Sequence, residues 1–164
     1  MKKIQLSLIF LGTILFIACG GGEHSSHDAH TDEAGEQTST ETESGVAAMT
    51  AAPEGAKVFF GNLEDGDVVS SPVKVVMGSE GITVKPAGEI VEGTGHHHII
   101  INEGSSPYGE VVGADDTHIH FGKGQEETDL ELPPGTYTIT LQFADGFHRS
   151  YGEGMSTTIS IEVK

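Results

Sequence analysis

Thiols are almost missing from this chain of 164 residues: Cys19 is its one cysteine. No disulfide can form within such a chain, and four-cysteine zinc sites and iron–sulfur clusters are excluded, so any metal must be held by His, carboxylate or Met. Positive charge is scarce as well. Eight Lys and Arg stand against 25 Asp and Glu, a formal net charge of −17 with His neutral. A surface of that sign repels nucleic acid and anionic lipid and favours cations, so nucleic-acid partners are not expected. Long apolar runs are lacking too. The stretch from Ile4 to Ala18, broken by Gln5, Ser7, Gly12 and Thr13, falls short of the roughly 20 residues that a spanning helix needs.

What stands at the start is instead the pattern of an export signal. Met1-Lys2-Lys3 is cationic, the run to Ala18 is apolar, and small residues mark the cut. Leu15-Phe16-Ile17-Ala18-Cys19-Gly20 resembles the bacterial lipobox, in which a small residue precedes the cysteine whose sulfur takes the diacylglycerol. On this reading residues 1–18 are a lipoprotein signal peptide, and acyl chains on Cys19 hold the mature protein at a membrane. Two or more chains do so stably where one does not. Gly20 directly after the cysteine places the expected location in the cell envelope, at the outer membrane and facing the periplasm.

Residues 19–52 read as an acidic, disordered linker anchored at Cys19. From Gly20 the stretch holds seven acids, no Lys or Arg and almost no large apolar residue, too little to offset the entropy of ordering. His24, His27 and His30 lie here among Asp28, Asp32 and Glu33. Such a segment either chelates divalent ions weakly or serves as a solvated spacer.

Residues 53–164 suit one domain with one core. The apolar spacing is two, not 3.6. Tyr137, Ile139, Leu141 and Phe143 point one way, with Thr136, Thr138, Thr140 and Gln142 opposite; Thr157, Ile159, Ile161 and Val163 repeat the pattern near the end. Leu130 and Leu132 alternate before the turn residues Pro133-Pro134-Gly135. Further strands are expected over 57–63, 72–77, 82–85 and 96–102, separated by Asp65-Gly66, Ser79-Glu80-Gly81 and Pro86-Ala87-Gly88. No helical stripe interrupts them. The fold class is therefore all-β, an immunoglobulin-like β-sandwich of seven to eight strands.

The histidines, nine in all, carry the chemistry on offer. His96-His97-His98 opens a strand continued by Ile99-Ile100-Ile101, His118-Ile119-His120-Phe121 puts two imidazoles on one strand face, and His148 follows the turn Asp145-Gly146-Phe147. Residues two apart on a strand share a face about 6.6 Å apart. Their rings can converge on one ion at roughly 2.0–2.1 Å per bond. His118 with His120 is one such pair and His96 with His98 another, while His97 faces away; His148 can complete the set or replace a member. The candidate metal ligands are thus His96, His98, His118, His120 and His148, and the candidate ion is copper or zinc. Ile99-Ile100-Ile101 suggests burial on both faces of the strand. The plainer reading of each histidine is a hydrogen bond to a nearby carboxylate, such as Asp115 or Asp116, or a role in a polar network.

Other chemistries find less support. Gly122-Lys123-Gly124-Gln125 lacks the third glycine and helix of a dinucleotide fingerprint, and Ser156 is not in a nucleophile elbow. No nucleophile–base constellation is visible, so an enzyme is not expected.

Several of these motifs occur together: Asp65-Gly66 with Ser71-Pro72, Pro86-Ala87-Gly88, Thr94-Gly95-His96-His97-His98, His118-Ile119-His120-Phe121-Gly122-Lys123-Gly124-Gln125, and Pro134-Gly135. The combination resembles the bacterial family called domain of unknown function 4399, over Lys57 to Val163. That resemblance implies an exported β-domain and supplies no activity. The residues therefore lead to an envelope lipoprotein that binds a divalent transition metal through clustered histidines, for storage, buffering or delivery, with a metal-handling protein as a possible partner. The alternative is a non-metal binding or structural module of the envelope whose histidines form a hydrogen-bonded network. Clustered imidazoles also permit pH sensing. The sequence carries no oligomer signal.

Overall fold

The computed structural model of the protein describes residues 48–164. Residues 1–18, read above as a signal peptide, lie outside the described residues, as do Cys19 and the tail histidines His24, His27 and His30. Among the described residues nine strands follow one another: β1 (Lys57–Phe60), β2 (Asp67–Val69), β3 (Val73–Glu80), β4 (Thr83–Val84), β5 (Thr94–Ile101), β6 (His118–His120), β7 (Glu127–Leu130), β8 (Gly135–Ala144) and β9 (Ser156–Val163). A single 3-10 turn, Glu153–Met155, precedes β9.

Two sheets form, and the expected all-β sandwich is what they build. One has three strands in the order β1-β3-β7; the other runs β2-β9-β8-β5, with β4 and β6 both pairing the far side of β5. Two pairings, β2 with β9 and β4 with β5, are parallel. Val73, Val75 and Met77 of the smaller sheet meet Ile99, Ile101, Ile139, Leu141, Phe143, Ile159, Ile161 and Val163 of the larger in one core cluster. The period-two alternation produces this: every second side chain of β3, β5, β8 and β9 turns inward, each burial contributing roughly 1.5–3 kcal/mol. Met49 and Ala52, within the stretch read as linker, also pack against that core. The strand β2 has no counterpart in the sequence reading. Its three residues, one of them acidic, give no alternation to detect, and its place is set by pairing Asp67, Val68 and Val69 with Ile161, Glu162 and Val163.

The outward face of the larger sheet is covered as well, and this positions the site. Thr140 and Gln142 alternate with the core residues of β8, yet both are fully buried. Residues 102–117 and 145–155 are tied across them. The Thr140 hydroxyl donates to the Glu103 carbonyl at 2.9 Å, and the Ser106 N–H donates to Gln142 Oε1 at 3.1 Å. Gln142 Nε2 donates to the carbonyls of Phe143, Gly152 and Met155. Flanked by β8 on one side and by β4 and β6 on the other, all eight residues of β5 are buried. The triple isoleucine run is thus enclosed on both faces.

Candidate metal centre

Strand β5 splits the histidine triplet between its two faces. His97 turns inward with Ile99 and Ile101 and packs edge-on against Phe143, ring centroids 5.0 Å apart. His96 and His98 turn outward, beneath the covering loops, and neither has any exposure. Their Cα partners on β8 are Ala144 and Gln142.

The third ring arrives by strand register. His98 and His120 are Cα partners across the antiparallel β5–β6 pair, so their side chains leave the same face side by side. The His120 ring lies over Gly122, where any Cβ would collide with ring atoms Cε1 and Nε2. Glycine there is a requirement of the ring's position. The fourth ring comes from the chain end of β8, where Ala144 and Ser150 form a bridge that closes a tight turn, and His148 at its tip adopts φ 66°.

The four rings form one compact group. Nε2 of His96 and Nε2 of His98 are 3.0 Å apart, and Nε2 of His120 and Nε2 of His148 are 3.1 Å apart. Ring centroids span from 4.6 Å for His120–His148 to 6.0 Å for His98–His148. One ligand nitrogen from each of His96, His98 and His120 lies within 4.8 Å of the others, close enough to hold a metal ion. Four imidazoles bound tetrahedrally would place their nitrogens about 3.3 Å apart, so small movements suffice.

The electrostatics favour uncharged rings. Burial, and then the neighbouring imidazoles, lower His96 to about 4 and His98 to about 2. Burial lowers His97 to about 4, and burial with His148 nearby lowers His120. The free lone pair that a metal needs is therefore present at neutral pH. The donor set is imidazole nitrogen, a ligand type that suits several first-row divalent metals, and among the described residues the group that could hold an ion contains histidines alone. One feature of an ordinary metal site is missing. A metal-bound imidazole usually donates its other N–H to an acceptor, but Nδ1 of His96 and of His98 is buried without a partner.

His118 stands apart from the four. It pairs with Ile100 rather than a histidine, and its Nδ1 lies 3.0 Å from Asp115 Oδ1 and 3.2 Å from the Thr117 hydroxyl. Spacing alone put His118 and His120 together on one ion. The Asp115 carboxylate also accepts from the N–H groups of Thr117 and His118, and this local capture holds the ring. These bonds hold the Asp115 carboxyl well below the usual carboxylate range.

A family model, Domain of unknown function (DUF4399), matches residues 75–164. The chain belongs to that family. No curated protein and no solved structure matches it. The matched part of this DUF4399 protein contains all four clustered histidines. It also contains two residues that the sequence reading passed over. Gly122 looked like part of an incomplete nucleotide loop, and Asp145 looked like ordinary turn chemistry. The order Asp-Gly-Phe-His-Arg held a usable signal, because an Asp side chain commonly binds the backbone two residues on.

Proposed function

We propose that this protein is an envelope lipoprotein, tethered through Cys19, that binds a divalent transition metal through His96, His98, His120 and His148. Copper or zinc is the ion, and the role is storage, buffering or delivery to a metal-handling partner. One observation supports the reading: His96, His98 and His120 each bring a ligand nitrogen within 4.8 Å of the others, and the Nε2 of His148, on the turn after β8, lies 3.1 Å from that of His120. No enzymatic activity is part of this proposal. The acyl anchor, the outer-membrane location and the partner rest on the sequence pattern alone.

Calorimetric titration of the full-length chain with copper(II) and with zinc(II) tests the reading, alongside a His98→Ala/His120→Ala variant. The expected result is a tight one-to-one phase that vanishes in the variant, leaving the weak uptake of the tail histidines. Equal tight binding by both chains would remove the proposal.

A second reading has its own observation in support. The Nε2 contacts at 3.0 and 3.1 Å are ring-to-ring hydrogen bonds without any ion, and the unpartnered Nδ1 atoms give a bound metal no support from behind. A structural histidine network would leave the thermal transition insensitive to chelator and to added copper or zinc.

A further inference from the structure

We infer that Asp145 is the positioning residue that supplies the fourth nitrogen of the site, by fixing the turn that carries His148; this rests on the metal-binding reading above. Three of the four rings are placed by the sheet itself. His96 and His98 stand on β5, and His120 is held by register and by Gly122. His148 stands on no strand, although its carbonyl accepts from the Val112 N–H at 2.9 Å and bridges flank its turn. It sits on a turn, in the left-handed backbone region that a non-glycine residue rarely adopts, at φ 66°.

Within the turn, a buried carboxylate binds the backbone on both sides of His148. Asp145, 3% exposed, accepts at Oδ1 from the N–H of Phe147 at 2.8 Å and from the N–H of Arg149 at 2.9 Å. These are the residues on either side of His148. At Oδ2 it accepts from Arg149 Nε at 2.7 Å, with Arg149 Nη2 also 2.7 Å away. The His148 N–H closes the turn by donating to the Asp145 carbonyl at 2.9 Å. Gly146 lies against the Glu89 backbone, where a Cβ would collide, and its carbonyl accepts from the Gly88 N–H at 2.8 Å. Charge-assisted bonds of this kind are shorter and about twice as strong as neutral ones. Asp145 thus clamps the backbone before and after His148, whose Nε2 lies 3.1 Å from that of His120. Strain in a sparsely populated backbone region, held by surrounding bonds, is the pattern of a preorganised ligand.

The test is a double-mutant cycle on the full-length chain with one equivalent of copper(II), reading affinity together with the nitrogen hyperfine pattern in electron paramagnetic resonance. The wild type should show four nitrogen donors. Asp145→Ala and His148→Ala should each show three, with copper affinity lower by about 10–100-fold, and the double variant should be no weaker than His148→Ala alone. Four nitrogens in Asp145→Ala, or additive losses, would overturn the inference. If Asp145→Ala does not fold, hydrogen exchange in the wild type decides: the Phe147 and Arg149 amides should be protected, and rapid exchange of either would overturn it. If the wild type binds no copper, the metal-binding reading fails by itself. The positioning claim is then read from the His148 ring nitrogens in the ion-free chain, whose bond to His120 should be lost in Asp145→Ala and whose persistence there would overturn it.

Discussion

His98 and His120 are direct Cα partners on neighbouring strands, and their rings stack 5.0 Å apart at an interplanar angle of 30°. One ring is fully buried and the other is half-buried, so the pair joins the closed interior of the cluster to its open side. Most of what the protein is expected to do follows from how firmly these two rings and their neighbours are held.

Gly122 is the first point at which that firmness can be tested. In Gly122→Ala the new methyl group meets the His120 ring, and the ring has to move. Overpacking of this kind costs about 1–3 kcal/mol. Denaturant titration should show a loss of that size, and copper titration should show weakened binding. A variant that keeps both stability and affinity would mean that the ring is not seated where the structure puts it.

His97 should behave in the opposite way. Both of its ring nitrogens are buried without a partner, on the core face and away from the clustered rings of His96, His98 and His120. An unsatisfied buried polar group costs about 1–3 kcal/mol. His97→Leu is therefore expected to raise the unfolding free energy by on the order of 1 kcal/mol while leaving copper and zinc affinity unchanged. Loss of metal binding in His97→Leu would show that the triplet acts as a unit, against the division between faces.

Stability without metal should depend steeply on pH. Burial lowers His96 and His97 to about 4 and His98 to about 2 in the folded protein, all below the ordinary value of about 6.5. Between these values the unfolded chain binds protons that the folded chain refuses, so stability is complete above about 6.5 and declines as pH falls. Three such groups imply a loss on the order of 4 kcal/mol from pH 7.5 to 5.5. Urea titrations in the presence of chelator at the two pH values measure it. Equal stability at both would contradict burial of the triplet.

Much of the fold was legible because alternation survives in sequence. The β8 run of Tyr137, Ile139, Leu141 and Phe143 has its last three residues in the core, with Tyr137 packed against it. The β2 strand was not legible, since three residues held by parallel pairing to β9 leave no periodic trace. The site was readable as a set of ligand types but not as a geometry. Two-residue spacing put His96 with His98, whose Nε2 atoms lie 3.0 Å apart, and it put His118 with His120 in the same way. The three-dimensional placement of Asp115 shows what holds His118, and the turn at Asp145 shows how His148 comes to meet His120. Gly122 and Asp145 act through a close approach and a clamped turn, which no spacing rule reports.

Metal identity should follow ligand chemistry rather than site shape. Imidazole nitrogens bind copper(II) more tightly than zinc(II), so copper added to the zinc-loaded chain is expected to displace it. The unpartnered Nδ1 atoms of His96 and His98 should also make the bound ion easy to remove, because lost outer support typically costs about 10–100-fold in affinity. Rapid extraction by a competing chelator checks this; an ion that resists extraction would point to storage rather than exchange.

X-ray absorption at the zinc edge, on the full-length chain loaded with one equivalent of zinc(II), tests the central claim most directly. Four nitrogen neighbours at about 2.0–2.1 Å with imidazole scattering, reduced in the His98→Ala/His120→Ala variant, is the result the cluster geometry predicts. A first shell made mainly of oxygen, or a spectrum unchanged by the double substitution, would contradict it.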